Sequence, residues 1–577
     1  MQFKFLFNFV LLFAFISANS QRNLLEEEDV SEDIAILHTN DVHCGIDDYI
    51  GYDGLMLFKK ELKQKYNHVL LVDAGDHIQG GSIGLLSLGE DIINIMNKLE
   101  YDFATLGNHE FDYQLETLYN LNEKMNQSYV CANFVYRNDS SPIFSPYRII
   151  PAGNIKIGFI GLVTLQALTK TYLHTLVDKN NQLIYDLLND QTGEKLYNQV
   201  QKYINELRDI EHVNYVIIVC HFGYGGDALP KYTSKTLLEN LKGVDAVIDG
   251  HTHMIYNSTS KDADDKDVYI CQAGTKLSHL GKITIKPNGT ITSEMFDEIP
   301  LFEGYNDFKT VKRGGKDVYV DPEMNQFLND IYKNHSEEVK EIVGEIGFDL
   351  PIAGKGVREN NLCDLIVDSM KYYGKSDICL LNSGSVRDGI KKGNISYNDV
   401  LNTLPFATKV IVMEVTGQDI LDALEFGMKN LPGYTSRFPQ VSGISFKVNL
   451  DIPSSVVVND IESFVRVDGE RRVYDVFVGN ETLEVNKTYN LTLGDFMGEG
   501  GDGYSMFIKY NVTQFHPMMS EVCKEYIEEV LNRTIPDIYK QSQGRITIIK
   551  SDDSNKNSNH FINYMKEFYI FLLLLII

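Results

Sequence analysis

The sequence predicts an α/β protein of two layered domains joined by a helix. Three observations carry this. The chain has 577 residues, long for a single hydrophobic core. Short β-rich runs alternate with helical stretches through 34–285, and a second α/β region runs through 354–549. Between them, 322–346 reads as one longish charged helix with a partial apolar stripe of Phe327, Leu328, Ile331, Val339, Ile342 and Val343.

The first region holds β-rich runs at 34–39, 69–73, 103–107, 155–163, 215–220, 246–250 and 268–274. Their continuous apolar character suits strands buried on both faces. Helical patterns intervene at 54–66 and 192–208. No internal repeat is visible, and the acidic run 26–33 reads as a solvated lead-in.

Composition narrows the functional classes. Hydrophobic content of 43% and charged content of 23% fit a globular chain. A formal net charge of −27 argues against general nucleic-acid binding. An anionic substrate would need local positive charge, from metal ions or a few Arg residues.

Both ends are apolar. Lys4, an apolar stretch over 5–16 and small residues at Ala18 and Ser20 read as a secretory signal over 1–20. The terminal run 568–577 is too short to span a bilayer core of ~30 Å as a helix. With the polar stretch 551–559 before it, it matches a GPI-anchor signal over 551–577, with attachment near 551–555. Cell-surface or extracellular localisation follows, with the outer leaflet as a partner. Eleven N-x-S/T sequons, at Asn126, Asn138, Asn257, Asn288, Asn334, Asn394, Asn480, Asn486, Asn490, Asn511 and Asn532, agree with a secreted glycoprotein. Seven Cys and no CxxC pair make a thiolate zinc site a poor reading, and the odd count leaves at least one thiol unpaired within the chain.

The chemistry lies where polar residues fall after the strands. Asp41 and His43 follow the first run, Asp76 the second, and Asn108, His109 and Asp112 the third. His221 follows the run at 215–220, and His251 and His253 follow 246–250. Ligands of open α/β sheets bind at the carboxyl ends of strands. One such motif is weak, but five strand ends delivering carboxylate, amide or imidazole are hard to explain as scaffold, because each buried group needs a partner. The donor set suits Zn, Mn, Fe or Mg. Two cations ~3.5–4 Å apart serve an in-line displacement and need a bridging carboxylate, for which Asp76 is the natural candidate. Asp112 lies three residues after His109, so it can orient and charge that imidazole for proton transfer or transition-state stabilisation.

The pattern D-x-H, G-D, G-N-H-E, H and G-H-x-H resembles the calcineurin-like metallophosphatase superfamily. The strings GNHEFDY at 107–113 and QAG at 272–274 bring it closer to the 5'-nucleotidase family, over about 34–549. The resemblance implies a four-layer α/β/β/α catalytic domain (31–300), a linker helix (322–350) and a C-terminal α/β nucleotide-binding domain (351–549). It implies one metal on Asp41, His43 and His253, another on Asn108, His221 and His251, and Asp76 between them. His109 and Asp112 would form the catalytic dyad. Zinc is the first expectation for the two divalent ions, with Mn, Mg, Co or Fe as alternatives. A homodimer is an arrangement the family allows, though no stretch of sequence marks an interface.

The second region carries RENNLCDLIVD at 358–368, NSGSVRDGI at 382–390, LPF at 404–406 and FMGEGGDGY at 496–504. Arg358 and Arg387 offer planar donors to phosphate. Phe406 and Phe496 can stack on a base, and Asp502 can accept from ribose hydroxyls. The resemblance adds Asn382 near the nucleoside and Asn108 as a substrate contact beside its metal role. Ser383 and Ser385 stand where the family usually has small residues, and Cys363 where Gly is common; such side chains are expected to narrow the phosphate pocket or change base preference.

The reading is an extracellular hydrolase of nucleoside 5'-monophosphates, with a hinge near the connector helix. The rivals are hydrolysis of nucleoside di- or triphosphates, UDP-sugars or 2',3'-cyclic nucleotides at the same site, and a non-catalytic surface binder on the same fold.

Overall fold

A computed structural model describes residues 31–178, 182–225, 228–301, 307–335, 339–459 and 461–550. The expected signal (1–20) and anchor (551–577) segments lie outside the described residues.

The first region forms two sheets face to face. One has five strands in the order Ile291–Phe296, Leu280–Ile285, Ser31–Thr39, Tyr66–Asp73, Phe103–Ala104. The other has six, in the order Ile255–Lys261, Asp267–Ala273, Ala246–Ile248, Tyr215–His221, Ile155–Val163, Tyr147–Ala152. Alternation along each strand sets the layers. Ile34, Ile36, Leu70 and Val72 meet Ile157, Phe159, Ile217 and Val219 between the sheets. Ala35 and Leu37 point the other way, into the cluster holding Leu55, Phe58 and Leu62 of the helix Gly51–Lys65. On the outer face of the second sheet, Ile160, Val216 and Ile218 are buried with Leu196, Val200 and Ile204 of the helix Glu194–Asn205. The result is the α/β/β/α layering that the resemblance implied.

In the second region a five-stranded sheet runs Pro439–Ser442, Ile378–Asn382, Thr488–Gly494, Lys409–Thr416, Val512–Met518. Ile378, Leu380, Ile411 and Leu491 pack with Ile420 and Leu424 of the helix Gly417–Gly427. Cys379, Leu381 and Val410 join a core with Leu362, Leu365 and Ile366 of the helix Asn361–Gly374.

The connector differs from expectation. Its helix spans only Pro322–Asn334, begun by Pro322 in the first turn and by Asp321, whose carboxylate accepts the Met324 N–H. Ile342–Ile346 is a strand, paired with Gly393–Ser396 and Thr534–Ile535. The single helix over 322–346 is therefore corrected: Val343 is buried by strand alternation and partner strands, and Ile342 is exposed. The helix lies on the first domain, where the Asn325 amide donates to Asp53, itself clamped by both carboxylate oxygens to Arg313 Nη2 at 2.8 and 2.7 Å.

All seven cysteines are buried free thiols. Among the described residues, no helix is long and apolar enough to cross a membrane.

Candidate metal centre and nucleotide cleft

The parallel strands Ser31–Thr39, Tyr66–Asp73 and Phe103–Ala104 end beside the parallel strands Tyr215–His221 and Ala246–Ile248 of the facing sheet. Their carboxyl ends deliver Asp41, His43, Asp76, Asn108, His109, His221, His251 and His253. Three triads each bring their ligand atoms within 4.8 Å of one another: Asp41–His43–His253, His43–Asp76–His109 and Asp76–His221–His251. Asp76 Oδ2 lies 3.0 Å from His221 Nε2 and 3.7 Å from His43 Nε2, and Asp41 Oδ1 lies 3.4 Å from His253 Nε2. Apart from His253 and the partly buried His109 and His251, these side chains are buried.

The loops are shaped to this cluster. Asp41, His43, Asp76, His251 and His253 all adopt positive φ, between 47 and 83°, a region that costs non-glycine residues energy. The residues before Asp76, Asn108 and His251 are glycines. A Cβ on Gly75 (φ +91°) would fall 2.3 Å from the Gly107 nitrogen, and one on Gly250 would fall 2.7 Å from His221 Nδ1.

Outer partners fix the ligands' faces. His43 Nδ1 donates to the Gln79 carbonyl at 2.9 Å and His221 Nδ1 to the Ala74 carbonyl at 2.7 Å, which turns both Nε2 atoms inward. Asn40 donates to Asp41 at 2.6 Å. Glu110, fully buried, accepts the N–H groups of Asp76 (2.7 Å), Gly107 (2.6 Å) and His77 (2.9 Å), tying two ligand loops together. Asp249 Oδ1 accepts from Phe222, Gly223 and Gly250. Gln272 accepts from Met254 N–H at 2.6 Å and donates to the Gly250 carbonyl. Sequence reading assigned no role to Glu110, Asp249 or Gln272, although all three sit inside its motif strings. Replacing Glu110 by Gln puts an amide against donors that need an acceptor, and metal affinity is expected to fall about 10- to 100-fold, read by calorimetry.

The electrostatics divide the imidazoles. Burial first, and then Arg387, drives His43 well below the ordinary imidazole range and His253 down to about 3. Burial and the charge on His221 do the same to His251. Neutral rings are the form that binds metals. His221 is buried too, but Asp76 and Asp41 outweigh burial and raise it to about 10. His109 is likewise raised: burial opposes its charge, and Asp112 and Asp76 overcome it. Its Nδ1 lies 2.7 Å from Asp112 Oδ2, and its Nε2 lies 4.0 Å from Asp76 Oδ2.

The donors fit divalent cations. Asn108 Oδ1 is buried without a hydrogen-bond partner, in the same cavity wall as Asp76, His251 and His253, and the neighbouring triads bring together two carboxylates and five imidazoles. Such an oxygen is costly to bury unless something binds it.

The second domain faces this cluster. Asn382 ends its strand, Arg387 follows the short turn Ser383–Ser385, and Phe496 lies in the helix Asp495–Gly498. Phe406 sits 5.9 Å from His109 between ring centroids, and the Arg387 guanidinium lies 5.8 Å over Phe406. Phe406, Phe496, Asn382, Asp502 and Arg387 line a small cavity of about 60 Å³ with His109 and Asp112. A larger one, of about 650 Å³, opens from Asp76, Asn108, His251 and His253 toward Arg387, Lys429 and Arg437. Ser385, in the wall of the small cavity, donates to Asn382 Oδ1 at 2.6 Å, and Ser383 turns its hydroxyl to the Thr435 and Ser436 carbonyls. Cys363 is buried within its helix and lines neither cavity. Arg358 is exposed beside Gly354 and lines neither cavity.

Fold and donor set define a two-domain protein of the metallophosphatase class. A calcineurin-like phosphoesterase model matches residues 34–254, and a model of the 5'-nucleotidase C-terminal domain matches 338–509. The chain therefore carries a calcineurin-like phosphoesterase domain followed by a 5'-nucleotidase C-terminal domain, and the relatives it matches are named 5'-nucleotidases and nucleotide phosphoesterases. It is 26% identical to a 5'-nucleotidase of Vibrio parahaemolyticus, over 87% of this chain and 90% of that one. It is 25% identical to the 5'-nucleotidase of Bos taurus, over 82% and 84%. A trifunctional nucleotide phosphoesterase of Bacillus subtilis is 26% identical over 89% of this chain, which spans only 35% of that longer protein. The fold matches a crystal structure of a 5'-nucleotidase precursor from Thermus thermophilus, with a TM-score of 0.70 and 23% identity over 90% of this chain and all of that one.

Proposed function

We propose that the chain hydrolyses nucleoside 5'-monophosphates to nucleoside and phosphate. The observation that carries this is the approach of the two half-sites: His109 touches the metal-ligand cluster on one side and faces Phe406 on the other. Asp41, His43 and His253 would hold one cation, and Asn108, His221 and His251 the other, with Asp76 shared. Two divalent cations there, zinc the first expectation, would supply an ionised water as nucleophile and positive charge for the phosphoryl oxygens.

The chain's own residues do the rest. Arg387 offers its planar donors to the phosphate. His109, held by Asp112, gives its proton to the departing 5'-oxygen. Phe406 and Phe496 stack on the base, and Asn382 and Asp502 meet the ribose. Arg358, exposed and lining neither cavity, is given no part in this arrangement. The test is phosphate release from a nucleotide panel by metal-loaded protein; none from any nucleotide sinks the proposal. Phe496→Ala is expected to raise KM for AMP by about 5- to 150-fold with a smaller change in kcat, checked by steady-state kinetics.

One observation favours a second reading. The cavity beyond the metal ligands has room for a substituent on the phosphate, and Lys429 and Arg437, which share Glu462 at 2.6 and 3.3 Å, leave one net positive charge in its wall. Nucleoside di- or triphosphates, UDP-sugars and 2',3'-cyclic nucleotides belong in the same panel. A non-catalytic binder would be revealed by purified protein that takes up no metal.

We also propose an extracellular, GPI-anchored setting. All eleven sequon asparagines are exposed, as glycan acceptors must be. Enzymatic deglycosylation of the secreted protein should lower its apparent mass. The homodimer rests on family resemblance alone.

A further inference from the structure

One cross-domain contact has no part in the chemistry above. Lys170 belongs to the metallophosphatase domain, yet its amine reaches the nucleoside side, 2.5 Å from Asp502 Oδ1 and 2.9 Å from Ser436 Oγ. It stands in the wall shared by the two cavities. The turn that carries it, Ala167–Lys170, is flanked by two other site contacts. Gln166 lies 2.5 Å from His251 Nε2, and Thr171 donates to the carbonyl of Phe111, between the dyad residues, at 3.1 Å.

Asp502 is 1% exposed. Burial opposes its charge, and Lys170 is foremost among the groups that overcome burial and hold the carboxyl below its ordinary range. Its other oxygen, Oδ2, accepts from Asn382 Nδ2 at 2.5 Å. A carboxylate has about four acceptor directions, so each oxygen keeps one to offer. A vicinal diol presents two donors at matching separation.

We infer that Lys170 is a positioning residue that fixes Asp502 as a two-oxygen acceptor for the ribose 2'- and 3'-hydroxyls, so that ribose recognition is complete only with both domains together. This rests on the nucleotide reading proposed above. Hydrogen bonds to a charged acceptor discriminate strongly against an analogue lacking the donor.

The test compares AMP with 2',3'-dideoxy-AMP in the wild type, Lys170→Met and Lys170→Arg. The wild type is expected to prefer AMP by about 10- to 100-fold in kcat/KM. Lys170→Met should bring that ratio to within about 3-fold of one, through KM rather than kcat, and Lys170→Arg should keep most of the preference. A Met variant that retains the preference, or loses both substrates equally, overturns the inference. If the Met variant lacks a cooperative melt, Lys170→Gln replaces it. If the wild type hydrolyses another nucleoside monophosphate but not AMP, that nucleotide and its 2',3'-dideoxy form take AMP's place; if it releases phosphate from no nucleotide, the nucleotide reading has failed. The inference is then judged by calorimetric binding of adenosine against 2',3'-dideoxyadenosine to the same variants: a preference lost with Lys170 upholds it, and an unchanged ratio overturns it.

Discussion

Asp76→Asn is expected to lower kcat/KM for AMP by on the order of 10³-fold or more, with metal content falling alongside. Asp76 is the carboxylate shared by two of the three ligand triads. Its Oδ2 stands 3.0 Å from His221 and 3.7 Å from His43, and its Oδ1 accepts the His109 N–H at 2.7 Å. Burial opposes its charge, and His221 and His109 overcome burial and hold its carboxyl well below the ordinary range. Asn keeps the shape and removes the charge. Losing an outer partner of a metal ligand already costs about 10- to 100-fold, and a shared ligand must cost more. Elemental analysis of the purified variant, beside its rate, checks this; a variant that keeps two metals and full activity contradicts the assignment.

His109→Gln should leave metal content intact and lower kcat by about 10²- to 10⁴-fold, the range of a positioned acid–base group. The ring belongs geometrically to one ligand triad, but Asp112 holds its Nδ1 at 2.7 Å, which leaves Nε2 to face the reacting groups. The loss should shrink on p-nitrophenyl phosphate, whose leaving group departs without a proton. Metal loss equal to that of Asp76→Asn would instead make His109 a ligand.

The two variants divide what the site residues do, and also what was legible beforehand. The seven candidate ligands could be read because each ends a strand, and parallel strands collect their carboxyl ends on one edge. Glu110, Asp249 and Gln272 were present in the same strings, but their work is to accept loop N–H groups, and which N–H faces them is settled only by tertiary contact. The connector departs from a single helix because Ile342 and Val343 fit a helical stripe only when neighbours are ignored; the partner strands at 393–396 and 534–535 decide for a strand. Arg358 looked like Arg387 by chemistry alone, and exposure separates them. Lys170 sits in ALTK, a stretch without a motif, and acquires meaning only because Asp502, 332 positions later, folds against it.

The central claim is metal-dependent hydrolysis of nucleotides at the joined half-sites. It is tested most directly by phosphate release from AMP by purified protein, before chelation, after chelation, and after return of zinc or manganese. The account predicts release that stops on chelation, returns with the metal, and is absent in Asp76→Asn. No release from any nucleotide by the metal-loaded wild type, or release indifferent to chelator and to Asp76, would contradict it.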